Sequence, residues 1–278
     1  PGSLVGSEMC IRDRIITLPH YNNPEGLART VSSIDEPFAL DIIIVDDGSE
    51  KKLAERTLIK HYKNRGEIFF IYLNKNLGVG IAANKCLDFA KKNGYKYIAR
   101  LDAGDICHKN KFKKQISFLE RNKDVKLVGT WARVVDKKGD FLFNIKHPEN
   151  HEAIKKNMYL NSMFVNPTVV FKSCILNQVS EYPEKYRFAA QDYAFFFKVV
   201  NKFKCANYPE ILLDYVSDEN SISTKKRRIQ VKNRIKIMLE NFKPGIYPIY
   251  GLLRSIILYF FSRSFTTFLK RKIIKDEG

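Results

Sequence analysis

Two carboxylates separated only by Ala103 and Gly104, those of Asp102 and Asp105, close the stretch YIARLDAGDIC at residues 97–107. Tyr97, Ile98, Ala99 and Leu101 read as a short buried strand, and Gly104 lets the chain turn just after it. Acids held on a small-residue turn at the carboxyl end of a strand suit a hard divalent cation and a phosphorylated ligand. An ordinary Asp-Gly turn with solvated acids is the plainer reading of the same residues. A second acid pair, Asp46 and Asp47, ends the run DIIIVDDGS at residues 41–49 in the same way.

The elements that must position these pairs alternate. Residues 15–18 read as a first strand, followed by a polar turn, Pro24 and a helical pattern through Leu27, Val31 and Ile34. Residues 42–45 form an uninterrupted β-branched run, the mark of a strand covered on both faces. A helix over 57–62, a third strand over 68–73 and a Gly-containing loop that opens into a helix ending at Gly94 come next. Strands alternating with helices imply an α/β fold with a mostly parallel sheet and right-handed crossovers. Both acid pairs then lie at carboxyl ends of strands, where open α/β sheets bind ligands. The loop from Asn76 through Gly78 to Asn84 belongs on the same edge, with backbone amides and a helix start available to an anion. It is neither G-x-G-x-x-G nor G-x-x-x-x-G-K-[ST], so a dinucleotide fold and a P-loop are not supported.

The second half is mixed. Residues 126–135 and 167–171 read as strands, separated by a polar segment over 136–150 and a helix over 152–158. Gln191 and Asp192 open an apolar helix, which puts the acid in a first turn where the helix dipole stabilises its anion. Five cysteines without a Cys-x-x-Cys pair suggest neither a zinc site nor a disulfide framework, and fit a reducing cytoplasm. Residues 1–14 carry no apolar signal region and read as a non-native leader.

Charge is concentrated at the other end. Of the formal +18, residues 225–278 carry +11. Apolar residues there recur at Ile249, Leu252, Leu253, Ile256, Ile257 and Phe260, continuing to Ile273, at helical spacing, with Arg254, Arg263, Lys270 and Arg271 largely off the stripe. The run is too short to span a bilayer, so a basic amphipathic helix lying on an anionic membrane surface is expected, with packing on the protein's own core as the other reading. Nucleic acid is disfavoured, because the basic residues lie outside the α/β half and no RNA-binding aromatic signature is present.

LPHYNN, IIIVDDGS, NLGVGIAAN, ARLDAGDI, AAQDYAFFFKV and LLDYVSDENSIS occur in that order over residues 15–224. Together they resemble the family 2 inverting glycosyltransferases, which have the nucleotide-sugar-binding GT-A fold, and especially bacterial enzymes of O-antigen and capsule synthesis. The resemblance implies that Tyr21 and Asp46 hold the nucleobase, that Asn76, Gly78 and Asn84 line the donor nucleotide, and that Asp47 supports the loop. Asp102 matches the first acid of the D-x-D element, whose third position is here Gly104. Mg²⁺ or Mn²⁺ would then depend on Asp102, on Asp105 or on the donor's diphosphate. Asp218 stands where relatives often have His, and reads either as an oxygen ligand or as an exposed loop acid.

Asp192 falls where inverting relatives keep the general base. Asn166 and Gln191 are placed on the acceptor side, a plain Asn-Pro turn being the other reading of Asn166. The implied activity is transfer of a hexose from a UDP- or dTDP-linked donor to a lipid-linked or growing saccharide, peripherally at the inner face of the cell membrane. An inactive GT-A module that scaffolds at the membrane is the alternative that Gly104 leaves open.

Overall fold

The computed structural model describes residues 13–217 and 226–260. Nearly all of the expected leader, the junction near residue 224, Asp218 and the stripe beyond Phe260 lie outside the described residues.

Strand β2 (Asp41–Asp46) follows from its composition. Ile42 and Ile44 enter one core and Ile43 and Val45 the other, so both faces need apolar side chains. β2 pairs in parallel with β1 (Arg14–His20) and β3 (Ile68–Tyr72), and β1 pairs in parallel with β4 (Tyr97–Arg100). Beyond β4 lie β8 (Val170–Lys172), β6 (Val125–Val135), β9 (Lys204–Val216) and the two-residue β5 (Ile106–Cys107), giving the order 3-2-1-4-8-6-9-5. β4, β8 and β6 are antiparallel in turn, and β6 and β9 are again parallel. Helices α1 (Pro24–Ser33), α2 (Glu55–His61) and α4 (Lys111–Arg121) cover one face. Helices α3 (Val79–Lys92), α5 (His151–Asn157) and α6 (Gln191–Lys202) cover the other.

Two segments differ from expectation, and a third is one without an expected element. Asn166–Thr168 is a 3-10 turn and the strand starts only at Val170, because Pro167 has no N–H to give a ladder. The polar stretch 136–150 contains β7 (Phe141–Ile145), which returns along β6 through a turn at Gly139 with φ 94°. Phe141, Leu142 and Phe143 are exposed, so the strand has no buried face to betray it. LLDYV at 212–216 is the end of the long strand β9.

The C-terminal segment forms α7 (Arg227–Glu240) and α8 (Ile246–Phe260). Ile237 and Met238 of α7 enter the same core as α6. α8 docks through its small residues Pro248, Gly251 and Ser255, with Leu252 against the core. The larger apolar side chains face outward, Leu253 57% and Phe260 74% exposed. Arg254 is drawn inward and donates to the Leu160 carbonyl at 2.9 Å. Among the described residues no helix is long and apolar enough to cross a membrane.

A Cβ at Gly251 would meet the Tyr159 carbonyl oxygen at 2.2 Å, so α8 must lift to accept it. Gly251→Ala is expected to cost about 1–3 kcal/mol, the usual penalty of overpacking. Urea unfolding reads this directly, and an unchanged midpoint would contradict the docking of α8.

Candidate active site

The turn after β4 is built around a buried cation. Arg100, 2% exposed, donates from Nη1 to the carbonyls of Leu101 (2.9 Å) and Thr17 (3.3 Å) and from Nη2 to Asp102 Oδ1 at 2.5 Å. Asn166 Nδ2 reaches the other oxygen of Asp102 at 3.2 Å. Helix α1 grips the turn from the opposite side. Asn23 Nδ2 donates to the Ala103 carbonyl (2.9 Å), and the buried Thr30 hydroxyl accepts from Gly104 N–H (2.9 Å) while lying 2.8 Å from the Asp105 carbonyl.

Gly104 has φ 121°, a backbone that L side chains rarely adopt. An acid at this position would therefore be strained in this turn. The same turn sends Asp105 inward. It is 4% exposed, Oδ1 accepts the Val216 N–H at 3.0 Å, and Oδ2 is buried without a partner. Burial first, and then the charge of Asp102, holds its carboxyl well above the ordinary range. The ligand role expected of Asp105 is corrected on this ground: its carboxylate belongs to the core beneath the site. Lys111 is buried near it with no hydrogen bond to its ammonium, and burial lowers it to about 8.

Adjacent Asp46 and Asp47 do different work. Asp46 Oδ2 lies 2.8 Å from His20 Nδ1, and Oδ1 accepts the Ser49 N–H at 2.7 Å. Because the Asn23 N–H donates to His20 Nε2 (3.0 Å), the proton sits on Nδ1 and points at Asp46. Burial opposes the anion of Asp46, but the bonds from Ser49 and His20 outweigh it and lower the pKa. Asp47 accepts the N–H groups of Leu77 (2.8 Å) and Gly78 (2.9 Å), and so ties down the loop before α3. Gly78 has φ 102°. Asn76 and Tyr21 are exposed on this edge. Asn84 is not free for a donor as expected, since its amide both accepts from and donates to the backbone of Tyr182 (2.8 and 2.9 Å).

Asp192 stands in the first turn of α6, after Ala190 in the left-handed region at φ 64°. Gln191 and Asp192 are both half-buried. Burial raises the Asp192 pKa, and the charge of Asp102 raises it further. Burial, and then Asp192 and Asp102, push up the hydroxyl of Tyr182, and burial, and then Asp105, Asp102 and Asp192, push up that of Tyr215. Arg100 and Asn166 touch Asp102 directly, and Asp192, Tyr182 and Tyr215 lie within reach of its charge.

Arg100, Thr30 and Asn23 were not among the expected residues. The available signal was a charged residue ending an otherwise apolar strand, two positions before Asp102. A divalent cation fits this edge through Asp102, whose carboxylate is 38% exposed, together with a diphosphate. Mg²⁺ commonly takes only one or two carboxylates plus substrate phosphates. Among the described residues no three His, Cys, Asp or Glu side chains converge as a metal cage.

The raised pKa of Asp105 makes a stability prediction. The protonated form is favoured by folding, so its contribution is complete below the ordinary value of 3.8 and is lost as pH rises through the raised folded value. Asp105→Asn cannot ionise. Its Tm should equal that of the wild type near pH 4 and exceed it at pH 8; a constant difference across that range would refute the assignment.

Residues 15–180 match the family described as Glycosyl transferase family 2. An uncharacterised glycosyltransferase of Methanocaldococcus jannaschii is 31% identical over 273 residues, covering 93% of this chain and 91% of that protein. The Escherichia coli UDP-Gal:alpha-D-GlcNAc-diphosphoundecaprenol beta-1,3-galactosyltransferase is 27% identical, covering 84% and 85%. Among solved structures, S. aureus TarS in complex with UDP superposes with a TM-score of 0.65 at 17% identity, over 91% of this chain and 73% of that one. The Pyrobaculum calidifontis mannosyltransferase PcManGT, in complex with GDP-Man and Mn²⁺, does so at 0.58 and 14%, over 88% and 69%. The sheet order, the acid-bearing edge and the family match agree: the chain is a glycosyltransferase with the GT-A fold and belongs to glycosyl transferase family 2.

Proposed function

We propose that the chain is an inverting hexosyltransferase that takes a UDP- or dTDP-linked sugar and glycosylates a hydroxyl of a lipid-linked or growing saccharide in surface-polysaccharide synthesis. The observation that carries this reading is the placement of Asp192 on a helix N-terminus within the electrostatic reach of Asp102. Tyr21, Asp46, Asn76 and Gly78 offer a base and ribose site along the edge, and Asp102 lies where the diphosphate would leave. Asn166, already bonded to Asp102, and Gln191, beside Asp192, border the acceptor.

A sugar hydroxyl is a poor nucleophile at neutral pH. In a single displacement its oxygen bonds to the anomeric carbon as the bond to the diphosphate breaks, and its proton passes to the Asp192 carboxylate. Burial makes Asp192 a stronger base than an exposed carboxylate, so turnover should rise with pH through its raised pKa. Mg²⁺ or Mn²⁺ held by Asp102 would supply positive charge to the departing diphosphate.

Peripheral attachment to the inner face of the membrane is part of the proposal. It is supported by the outward-facing apolar residues of α8 beside the basic terminus, and by the diphosphoundecaprenol acceptor named for the E. coli relative.

A panel of nucleotide sugars, read by release of the nucleoside diphosphate, tests the activity. Asp192→Asn should leave donor binding intact while transfer falls on the order of 10²- to 10⁴-fold. Near wild-type turnover would remove Asp192 from the mechanism. Asp102→Asn should weaken metal-dependent donor binding and also lower stability, because Arg100 loses its partner.

The membrane reading has its own test. Replacing Leu253, Ile257 and Phe260 by Ser leaves the docked side of α8 untouched. Wild-type protein should sediment with anionic vesicles, less so as salt rises, and the triple variant should remain in the supernatant. Equal sedimentation would sink this part of the proposal.

A further inference from the structure

Two guanidiniums converge on one carbonyl where the C-terminal helices meet the body of the protein. Arg234 Nη2 of α7 and Arg254 Nη1 of α8 donate to the Leu160 oxygen at 2.7 and 2.9 Å, so the two nitrogens stand within two hydrogen-bond lengths of each other. Leu160 closes the turn after α5, its N–H bonded to the Asn157 carbonyl. A carbonyl at a helix end carries only a partial negative charge, and one cation satisfies it. Among the described residues neither arginine has an ion-pair partner.

Donors here outnumber acceptors. Arg234 Nε is buried without a hydrogen-bond partner among the described residues, and so is the hydroxyl of Ser255, 1% exposed, the residue after Arg254. Ser255 stands one turn beyond Gly251 on the docked side of α8, at the same seam with residues 159 and 160. Burial is the largest influence on Arg234 and disfavours its cation, Tyr193 favours it, Arg254 opposes it and Asp192 favours it. The Tyr193 ring, with its centroid 5.6 Å from the guanidinium carbon, offsets part of the charge. A guanidinium keeps its proton in a protein, so the pair repels itself until an anion joins it. Buried donors without an acceptor and a buried charge without a counter-charge are both unfavourable, and one oxyanion relieves both.

We propose that Arg234 and Arg254 form an oxyanion site that takes the phosphate of a lipid phosphate ester. Two planar forks suit a tetrahedral group with several acceptor oxygens and more than one negative charge better than they suit a single carboxylate. The lipid part follows from α8 itself. Leu253 and Ile257, 57% and 55% exposed, flank Arg254 in sequence, so apolar surface open to a hydrocarbon chain lies beside the cation. A prenyl phosphate and a membrane phospholipid share this chemistry. The lipid part rests on the membrane reading above, whereas the anion part stands on the arginine pair alone and does not require Asp192 to be the base.

The test begins with inorganic phosphate added to the full chain, against chloride at equal ionic strength. A ligand that binds only the folded state raises Tm, and phosphate should do so in the wild type. Arg254 is half-buried and Lys236, on the same pair of helices, is exposed. Arg254→Gln should weaken phosphate binding on the order of tenfold, the scale of a charged hydrogen bond. Arg254→Lys should keep part of the affinity, and Lys236→Gln, which removes the same charge from the outer surface, should keep all of it. Equal affinity of wild type and Arg254→Gln overturns the site. An equal loss in Lys236→Gln does so too, because the effect would then be general charge, and so does displacement of phosphate by saturating UDP with Mg²⁺, which would place it in the donor site.

Farnesyl phosphate, farnesol and dihexanoylphosphatidylglycerol test the lipid part. At least one of the two phosphate esters should bind more tightly than inorganic phosphate, compete with it and weaken in Arg254→Gln, while farnesol should not compete. Preference for the farnesyl ester identifies a prenyl phosphate as the source, and preference for the glycerol ester identifies membrane phospholipid. Binding of inorganic phosphate at the pair with no gain from either chain overturns the lipid part.

Discussion

A guanidinium sealed at the end of the central strand fixes the geometry on which the site depends. Arg100 is bonded to the Thr17 carbonyl of β1 and the Leu101 carbonyl just past its own strand, as well as to Asp102. Stripping one partner from a buried ion pair typically costs about 3–5 kcal/mol, because the remaining charge stays out of water. Asp102 is thus held by the fold rather than by its own rotamer preference. Asn166 holds the same carboxylate from the β8 side, and α1 holds the turn that carries it. An acid pinned in this way needs no reorganisation to hold a cation, the role proposed for it above.

The second acid pair shows how neighbours in sequence separate in role. Successive residues leaving β2 point to opposite sides, so Asp46 meets His20 and Ser49 while Asp47 meets the amides of Leu77 and Gly78. Both are buried, yet the pKa of Asp46 falls and that of Asp47 rises. The hydrogen bonds from Ser49 and His20 outweigh desolvation in the first case, and desolvation wins over two backbone donors in the second. One acid remains an anion anchored to His20 and Ser49, beneath the edge proposed for the nucleotide, and the other closes a loop.

Much of this was legible in the chain. The β-branched run of β2, the acid pairs at strand ends and the helix after Gly78 are local patterns, and the parallel half of the sheet follows from their alternation. What escaped depends on contacts between distant residues. Asn84 looks available until its amide is found bonded to Tyr182, 98 residues away. Asp105 looks like a ligand beside Asp102 until Gly104 at φ 121° and Thr30 turn it toward Val216. Arg100 reads as a polar strand end, because its spacing to Asp102 hints at a pair but does not say that the pair is folded into the core. β7 escaped for the opposite reason, having apolar residues with no core to bury them in.

The C-terminal helices connect the proposed membrane surface to the helix that carries Asp192, the proposed base. Arg254 of α8 and Arg234 of α7 both donate to the Leu160 carbonyl, at 2.9 and 2.7 Å. Arg234 also lies over the ring of Tyr193, the residue after Asp192, and Asn233 donates to the Ala189 carbonyl just before α6. Ala190 is held at φ 64° between these braces, a conformation a residue with a Cβ keeps only when its surroundings enforce it. An α8 lying on a lipid surface would therefore set the position of α6, and with it the depth at which Asp192 meets a hydroxyl. A lipid-linked acceptor has its phosphates at the headgroup level and its saccharide projecting into water. If α8 lies on lipid as proposed, the braces from α7 and α8 would fix how far Asp192, the proposed base, stands from that surface.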